Sequence, residues 1–147
     1  MRLFDRPDGK RLTKLSHYSR IIPFVMPKRV NSTVHYSEMV NIDEALKVLK
    51  EMNDEHGTNA GIMDLIMAAF VRTLSQKPKL NRFVFGKKIY ARNKITSSVA
   101  IKKEMTEDAE TTELKVDYNP MDTLFDVSTR IRKGIDENKG LNTSNNQ

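Results

Sequence analysis

One segment of the chain is apolar almost without interruption, and its length is that of a helix. Nine of the ten residues at positions 62–71 are apolar, and Asp64 is the exception. A helix that is apolar nearly all round is usually buried on more than one side. Pro78 disfavours helical backbone just before it, so the helix is expected over residues 62–75. The pattern predicts a helix enclosed between a sheet and other packing elements.

Three further helices are predicted from apolar positions that recur every three to four residues. They cover residues 17–26, residues 41 or 43 to about 53, and residues 119 to about 138. Ser16 is a suitable N-cap for the first helix, and Asp43 and Glu44 favour the dipole of the second. Gly57, a residue typical of helix ends, follows His56 where the second helix should end.

Five segments have strand character, because β-branched, aromatic and alternating apolar residues dominate them. They are residues 33–40, 83–85, 88–92, 95–103 and 111–118. Gly86-Lys87 supplies the tight turn of a hairpin, and residues 104–110 form an acidic loop. In the last strand Leu114, Val116 and Tyr118 alternate with charged residues, which predicts one buried face. These elements predict an α/β fold, a two-layer sandwich in which helices pack on one face of a mixed sheet.

Length and composition limit the fold further. With 147 residues and no cysteine, the chain is expected to form one domain without disulfides, thiolate zinc sites or a thiol nucleophile. The predicted organisation is an irregular N-terminal arm at residues 1–15, the domain at 16–139 and a flexible polar tail at 140–147. No apolar signal segment or membrane span is evident near the start, so a cytoplasmic protein that does not contact a membrane is expected.

The net charge of +6 arises from 25 basic and 19 acidic side chains that are mixed along the chain. Such mixing favours a solvated surface over a nucleic-acid interface, so nucleic acid is not expected as a partner. Lys87, Lys88, Arg92 and Lys94 around the hairpin could meet the phosphates of a polyanion, although a solvated hairpin is the simpler interpretation. No glycine-rich phosphate loop of the P-loop or dinucleotide type occurs.

An ordered set of short sequence patterns runs through residues 16–103. It comprises VNID at 40–43, AAFV at 68–71, KPKLN at 77–81, Gly86 with Ile89-Tyr90, and ITSSVAI at 95–101. In this order the patterns resemble the first half of the CoA-dependent acyltransferase fold. That superfamily includes chloramphenicol acetyltransferases and the catalytic domain of the acyltransferase component of 2-oxo acid dehydrogenase complexes. Residues 111–138 fit the resemblance more loosely.

The resemblance implies transfer of an acyl group between CoA and a thiol, hydroxyl or amine acceptor, in a homotrimer with active sites between subunits. The family's general base is the histidine of a His-x-x-x-Asp-Gly motif, and an upstream serine or threonine hydroxyl stabilises the oxyanion. This chain has three histidines, His17, His35 and His56, and none has aspartate four residues later. The resemblance therefore supplies no catalytic residue, and no acyl transfer is expected from this chain alone.

Two adjacent residues are candidates for substrate binding. Tyr36, with His35, falls where chloramphenicol acetyltransferases place an aromatic residue that lines the acceptor pocket, although an ordinary strand aromatic is the simpler interpretation. No metal site is expected, because His35 has no cysteine, aspartate or glutamate at ligand spacing. Ser97 and Ser98 lack the strand–turn–helix elbow of a serine nucleophile, which favours a structural role.

The missing motif leaves several explanations open. The chain is either the N-terminal portion of a longer acyltransferase or a half-domain that kept the packing and lost the catalysis. In the first case, coenzyme A is a non-covalent co-substrate of the complete protein. The first explanation predicts an open sheet edge and an exposed apolar face. The rival function is a non-catalytic binding or assembly module, whose partner is an acidic molecule, nucleic acid or an intact acyltransferase subunit.

Overall fold

The computed structural model describes residues 5–102 and 111–140. This part of the chain contains four α-helices and five strands, and the strands form two small antiparallel sheets. In chain order the elements are β1 (Gly9–Arg11), α1 (His17–Val25), α2 (Asp43–His56), α3 (Ile62–Gln76), β2 (Arg82–Phe85), β3 (Lys88–Arg92), β4 (Ile95–Lys102), β5 (Thr111–Tyr118) and α4 (Leu124–Gly140). All four predicted helices are confirmed, as are four of the five predicted strands.

The first sheet is built on the predicted hairpin, in the order β1-β3-β2. Gly86 and Lys87 both have positive φ, 54° and 59°. This is the geometry of a two-residue hairpin turn whose twist matches that of the flanking strands. Phe83 and Tyr90 face each other across the strands, with ring centroids 5.4 Å apart. β1 adds to the free side of β3, where Gly9 pairs with Arg92. The hairpin prediction is therefore confirmed, with one more strand than expected.

The hydrophobic core lies between the second sheet, β4–β5, and the helices α3 and α4. Its buried members are Val71, Ile95, Leu114, Val116, Tyr118, Val127 and Ile131. The predicted alternation in β5 is confirmed, because Leu114, Val116 and Tyr118 are buried while the charged residues between them are exposed. The core thus uses one face of the sheet and two helices, which confirms the α/β class and the two-layer arrangement.

The prediction that the apolar helix is buried on both sides is wrong for the described residues. α3 directs Val71 into the core, but Ile62, Met63, Ile66 and Phe70 are exposed, Phe70 to 59%. These four side chains are called the outer face of α3 below. α4 and the β4–β5 sheet cover the side of this helix that carries Val71, and the outer face lies on the other side.

The predicted strand at residues 33–40 is also absent: this segment is irregular and every residue in it is exposed. A strand needs a partner to satisfy its backbone donors and acceptors, and no described strand pairs with this segment. The two sheets remain separate and antiparallel in the described part of the chain, instead of forming the mixed sheet that was expected.

The arm predicted as irregular at residues 1–15 contains β1, because Gly9–Arg11 finds an open edge on β3. The domain boundaries at residues 15/16 and 139/140 stay predictions. The predicted acidic loop at 104–110 and all but the first residue of the predicted polar tail lie outside the described residues. α4 begins at Leu124, later than expected, because Asp122 and Asp126 form successive turns by accepting the N–H groups of Asn119 and Thr123.

The connection between α2 and α3 depends on one asparagine and one glycine. The Asn53 side-chain amide donates to the Ala60 carbonyl at 3.0 Å, and its oxygen accepts the Ala60 N–H at 2.8 Å. Gly57 ends α2 in the left-handed region, with φ of 62°, and its N–H donates to the backbone carbonyl of Asn53. The tight return of the chain into α3 therefore requires a residue that tolerates positive φ.

We predict that Gly57→Ala lowers the free energy of unfolding by about 1 kcal/mol, because alanine disfavours left-handed backbone. A Cβ at Gly57 would have no heavy atom within 4 Å, so no steric clash contributes to this loss. Chemical denaturation of Gly57→Ala and of the control Gly57→Asn measures the effect. Asparagine tolerates positive φ better than alanine, so an equal loss in both variants would contradict the backbone explanation.

Candidate functional site

The two predicted substrate-binding residues lie together in the exposed segment that follows α1. Tyr36 is 83% exposed, and its hydroxyl donates a hydrogen bond of 2.6 Å to the Glu38 carboxylate, which raises the pKa of the Tyr36 phenol. His35 is exposed beside it. The segment offers these side chains on an open surface, so a role in lining an acceptor pocket stays a prediction.

The serine pair in β4 has structural partners. Ser97 Oγ lies 2.9 Å from the buried Tyr118 hydroxyl, and Ser98 donates to the Glu113 carboxylate. The hydrogen bond from Ser98 lowers the pKa of Glu113, whereas burial raises the pKa of Tyr118. A nucleophilic serine needs a hydrogen-bonded base such as histidine. Cross-strand bonds to a phenol and a carboxylate fit the structural role that the sequence favoured.

The histidines do not converge on one site. His17 begins α1 and is exposed, whereas His56 ends α2, with its ring centroid 4.6 Å from that of Phe125. His35 lies in the irregular segment between these helices. Within residues 5–102 and 111–140, no group of three or more histidine or acidic side chains is arranged to hold a metal ion. These residues therefore assemble no recognisable acid–base centre.

The basic residues around the hairpin divide into two groups. Lys94 forms a 2.5 Å ion pair with Asp117, which lowers the pKa of that carboxyl, and Arg92 lies over the Phe83 ring at 4.8 Å from its centroid. Lys87 and Lys88 instead line a cavity of about 240 Å³ together with Arg11 and Arg20. The sequence singled out the two lysines but missed both arginines, which belong to β1 and α1.

A second cavity, of about 290 Å³, lies between α3, α4 and the β4–β5 sheet. Its walls are mainly apolar and include Met67, Leu114 and Ile131, with Asp64 and Arg132 as charged members. The Asp64 carboxylate is buried and accepts the Gly61 N–H at 2.7 Å, which caps α3. Met63 belongs both to this cavity and to the outer face of α3, so the two apolar surfaces adjoin.

A known protein family matches the part of the chain that contains the hairpin. The family model of the 2-oxoacid dehydrogenases acyltransferase (catalytic domain) matches residues 10–106, which is more than half of the chain. No curated protein and no solved structure matches the chain. In the described residues, no helix is both long and apolar enough to cross a membrane. The family suspected from the sequence is thus confirmed: the chain belongs to the 2-oxoacid dehydrogenase acyltransferase family and carries an acyltransferase-like domain.

Proposed function

We propose that this chain is the scaffold portion of a CoA-dependent acyltransferase domain and does not transfer acyl groups by itself. The observation that carries the proposal is a family match over residues 10–106 in a sequence that has no His-x-x-x-Asp-Gly motif. Without the histidine, no general base removes the proton from the attacking acceptor, so the thioester of acyl-CoA is not opened at a useful rate. The base would have to come from residues other than those of this chain.

The dispersed histidines support the same proposal. His17, His35 and His56 lie on three different segments, and none of them is hydrogen-bonded to Ser97 or Ser98. A base, a nucleophile and an oxyanion donor must lie within hydrogen-bond reach of one reacting carbonyl. The described residues supply no such arrangement.

The resemblance extends the proposal to substrates and assembly. Coenzyme A is the proposed co-substrate of the complete protein, with a thiol, hydroxyl or amine as acceptor, and a trimer is the proposed oligomer. Tyr36 and His35 would line the acceptor pocket once other residues enclose their exposed segment. A cytoplasmic location is proposed with these substrates, and it agrees with the absence of cysteine.

The purified chain is expected to show no cleavage of acetyl-CoA above buffer when a dithiol acceptor is supplied. Free CoA thiol released over time is the measurement, and an intact acyltransferase of the same family is the positive control. Thioester cleavage by this chain that disappears on replacing a single histidine, His17, His35 or His56, with alanine would overturn the proposal. Such a result would locate a general base that the sequence motif does not reveal.

A second candidate function, a non-catalytic assembly module, is favoured by one observation. The outer face of α3 presents four large apolar side chains to solvent beside an apolar cavity. Contiguous exposed apolar surface usually marks an interface. The partner would be another copy of this chain or an intact acyltransferase subunit. Charged substitutions on this face should then abolish association without unfolding the chain.

A further inference from the structure

Residues 33–40 form an uncovered segment between α1 and α2. Every residue in it is exposed, Val34 to 87% and Val40 to 72%. The side chains of Tyr36 and Glu38, two residues apart, meet in a 2.6 Å hydrogen bond, so they lie on one side of the segment, as they would in a strand. Within the described residues, no backbone N–H or C=O group of this segment has a hydrogen-bond partner. The segment therefore has the composition and the unused backbone groups of a strand, but no sheet.

The open edge of β4 fits such a segment in length. β4 pairs with β5 on one side, and no described strand pairs with its other side. β4 and β5 are eight residues long, as is the 33–40 segment, whereas β1 and β2 have only three and four residues. An unpaired edge presents a row of backbone donors and acceptors that can pair with another strand. Among the described strands, only β4 and β5 therefore offer an edge on which all eight residues can pair.

The side chains of β4 match those of the segment when the two run antiparallel. Every second residue of β4 points toward the helices and is buried or half-buried, in the order Ile95, Ser97, Val99 and Ile101. Antiparallel pairing of all eight residues sets these four opposite every second residue of the segment, in the order Val40, Glu38, Tyr36 and Val34. Three apolar side chains then face apolar side chains, and the one polar residue on each side, Glu38 and Ser97, face each other.

The three other full-length arrangements fit less well. Parallel pairing with β4 sets Val34 opposite the exposed Thr96, and antiparallel pairing with β5 sets it opposite the exposed Asp117, so the apolar face of the segment turns to solvent. Parallel pairing with β5 keeps the faces but places the Glu38 carboxylate against Val116, which is 6% exposed. An apolar neighbour does not replace the hydration that a carboxylate loses there. The antiparallel arrangement on β4 is the one that fits.

The charges that flank the segment favour the same direction. Lys28-Arg29 precede it and Asp43-Glu44 follow it, whereas the exposed Arg92 and Lys94 precede β4. Antiparallel pairing brings the acidic pair to this basic end of β4, and parallel pairing would bring two basic pairs together. These charges orient the segment without a new ion pair, because Lys94 is already paired with Asp117.

We propose that the 33–40 segment of one chain pairs antiparallel with the β4 edge of a second copy, with Tyr36 opposite Val99. Backbone hydrogen bonds would supply affinity, and the matched side chains would supply specificity. Each copy has one segment and one edge, so two copies related by a twofold axis satisfy both. The added strand would bring Val34 and Tyr36 beside the cavity of about 290 Å³, whose lining includes Val99 and Met63. The proposal rests on the assembly function and names the contact through which it operates.

The test is disulfide trapping between two single-cysteine variants of the full chain, which has no cysteine of its own. Ser37→Cys and Ser98→Cys lie directly opposite in the proposed register, with Cβ atoms about 5 Å apart, so a mixed disulfide is expected in a glutathione redox buffer. An affinity tag on one variant distinguishes the mixed dimer. The matched control combines Ser37→Cys with Lys115→Cys. Lys115 pairs with Ser98 from β5, one strand further away at about 10 Å, which is beyond disulfide reach.

A second pair of variants tests the alternation of faces. Tyr36→Lys places a charge on the face that turns toward the helices in the proposed pairing, and Ser37→Lys places the same charge on the solvent face. Tyr36→Lys should weaken self-association at least about tenfold in analytical ultracentrifugation, because the ammonium group would lose its hydration. Ser37→Lys should stay within about twofold of the unmodified chain. Both residues are exposed in the single chain, so neither substitution should change the free energy of unfolding.

Three results would overturn the strand contact: no mixed disulfide between positions 37 and 98, as much disulfide with position 115, or equal effects of Tyr36→Lys and Ser37→Lys. If the chain still self-associates in any of these cases, the assembly function stands and uses another surface. A chain that stays monomeric at every concentration would overturn both the contact and the assembly function. Acyl transfer enters none of these measurements, so the scaffold proposal is tested separately.

Discussion

Replacing Leu114 with alanine is expected to lower the free energy of unfolding by about 2–5 kcal/mol, the range for deleting a buried leucine side chain. Leu114 is 3% exposed at the centre of the core, on the face of β5 that contacts α4. Chemical denaturation followed by circular dichroism measures the loss. Lys115→Ala, at the neighbouring exposed position, is the control and should stay within about 0.5 kcal/mol.

Gly134 provides a second test of the packing around Leu114, because it lies directly against that side chain. A Cβ on Gly134 would come within 2.6 Å of Leu114 Cδ1. Gly134→Ala should therefore gain about 1 kcal/mol of helix propensity and lose about 1–3 kcal/mol to overpacking. In the Leu114→Ala background the clash is absent, so Gly134→Ala should stabilise the protein. Strictly additive effects in the double-mutant cycle would show that α4 and β5 do not pack as described.

The double variant Ile66→Lys/Phe70→Lys is expected to keep the chain monomeric at concentrations where the unmodified chain self-associates. Both side chains lie on the outer face of α3, one helical turn apart, and neither is part of the core cluster. Two charges in the centre of this face would have to lose their hydration in any interface that covers it. Analytical ultracentrifugation over a range of concentrations measures the shift.

Val48→Lys is the matched control for this surface. Val48 is an exposed apolar residue on α2, 57% accessible, so the substitution adds the same charge away from α3. It should leave self-association unchanged, and both variants should retain their unfolding free energy within about 0.5 kcal/mol. Association that survives Ile66→Lys/Phe70→Lys, or that Val48→Lys also removes, would assign the interface to another surface.

The acyltransferase family and the local elements followed from the sequence because each signal is carried by residues close together in the chain. Leu114, Val116 and Tyr118 alternate within eight residues, and the alternation alone states which face of β5 is buried. Gly57 and Gly86 occur where positive φ is required, and few other residues tolerate that backbone. The absent His-x-x-x-Asp-Gly motif was likewise readable from the chain alone.

What only the tertiary structure decided depends on partners that are distant in the chain. Residues 33–40 have strand composition but find no strand to pair with, whereas Gly9–Arg11 finds the edge of β3. The sequence of an apolar helix does not show how many elements pack against it, so the exposure of the outer face of α3 follows only from the tertiary structure. Arg11, Arg20 and Lys87 meet at one cavity because strand pairing and helix docking bring three segments together. Propensity and turn chemistry act over a few residues, while burial and charge clustering depend on the whole fold.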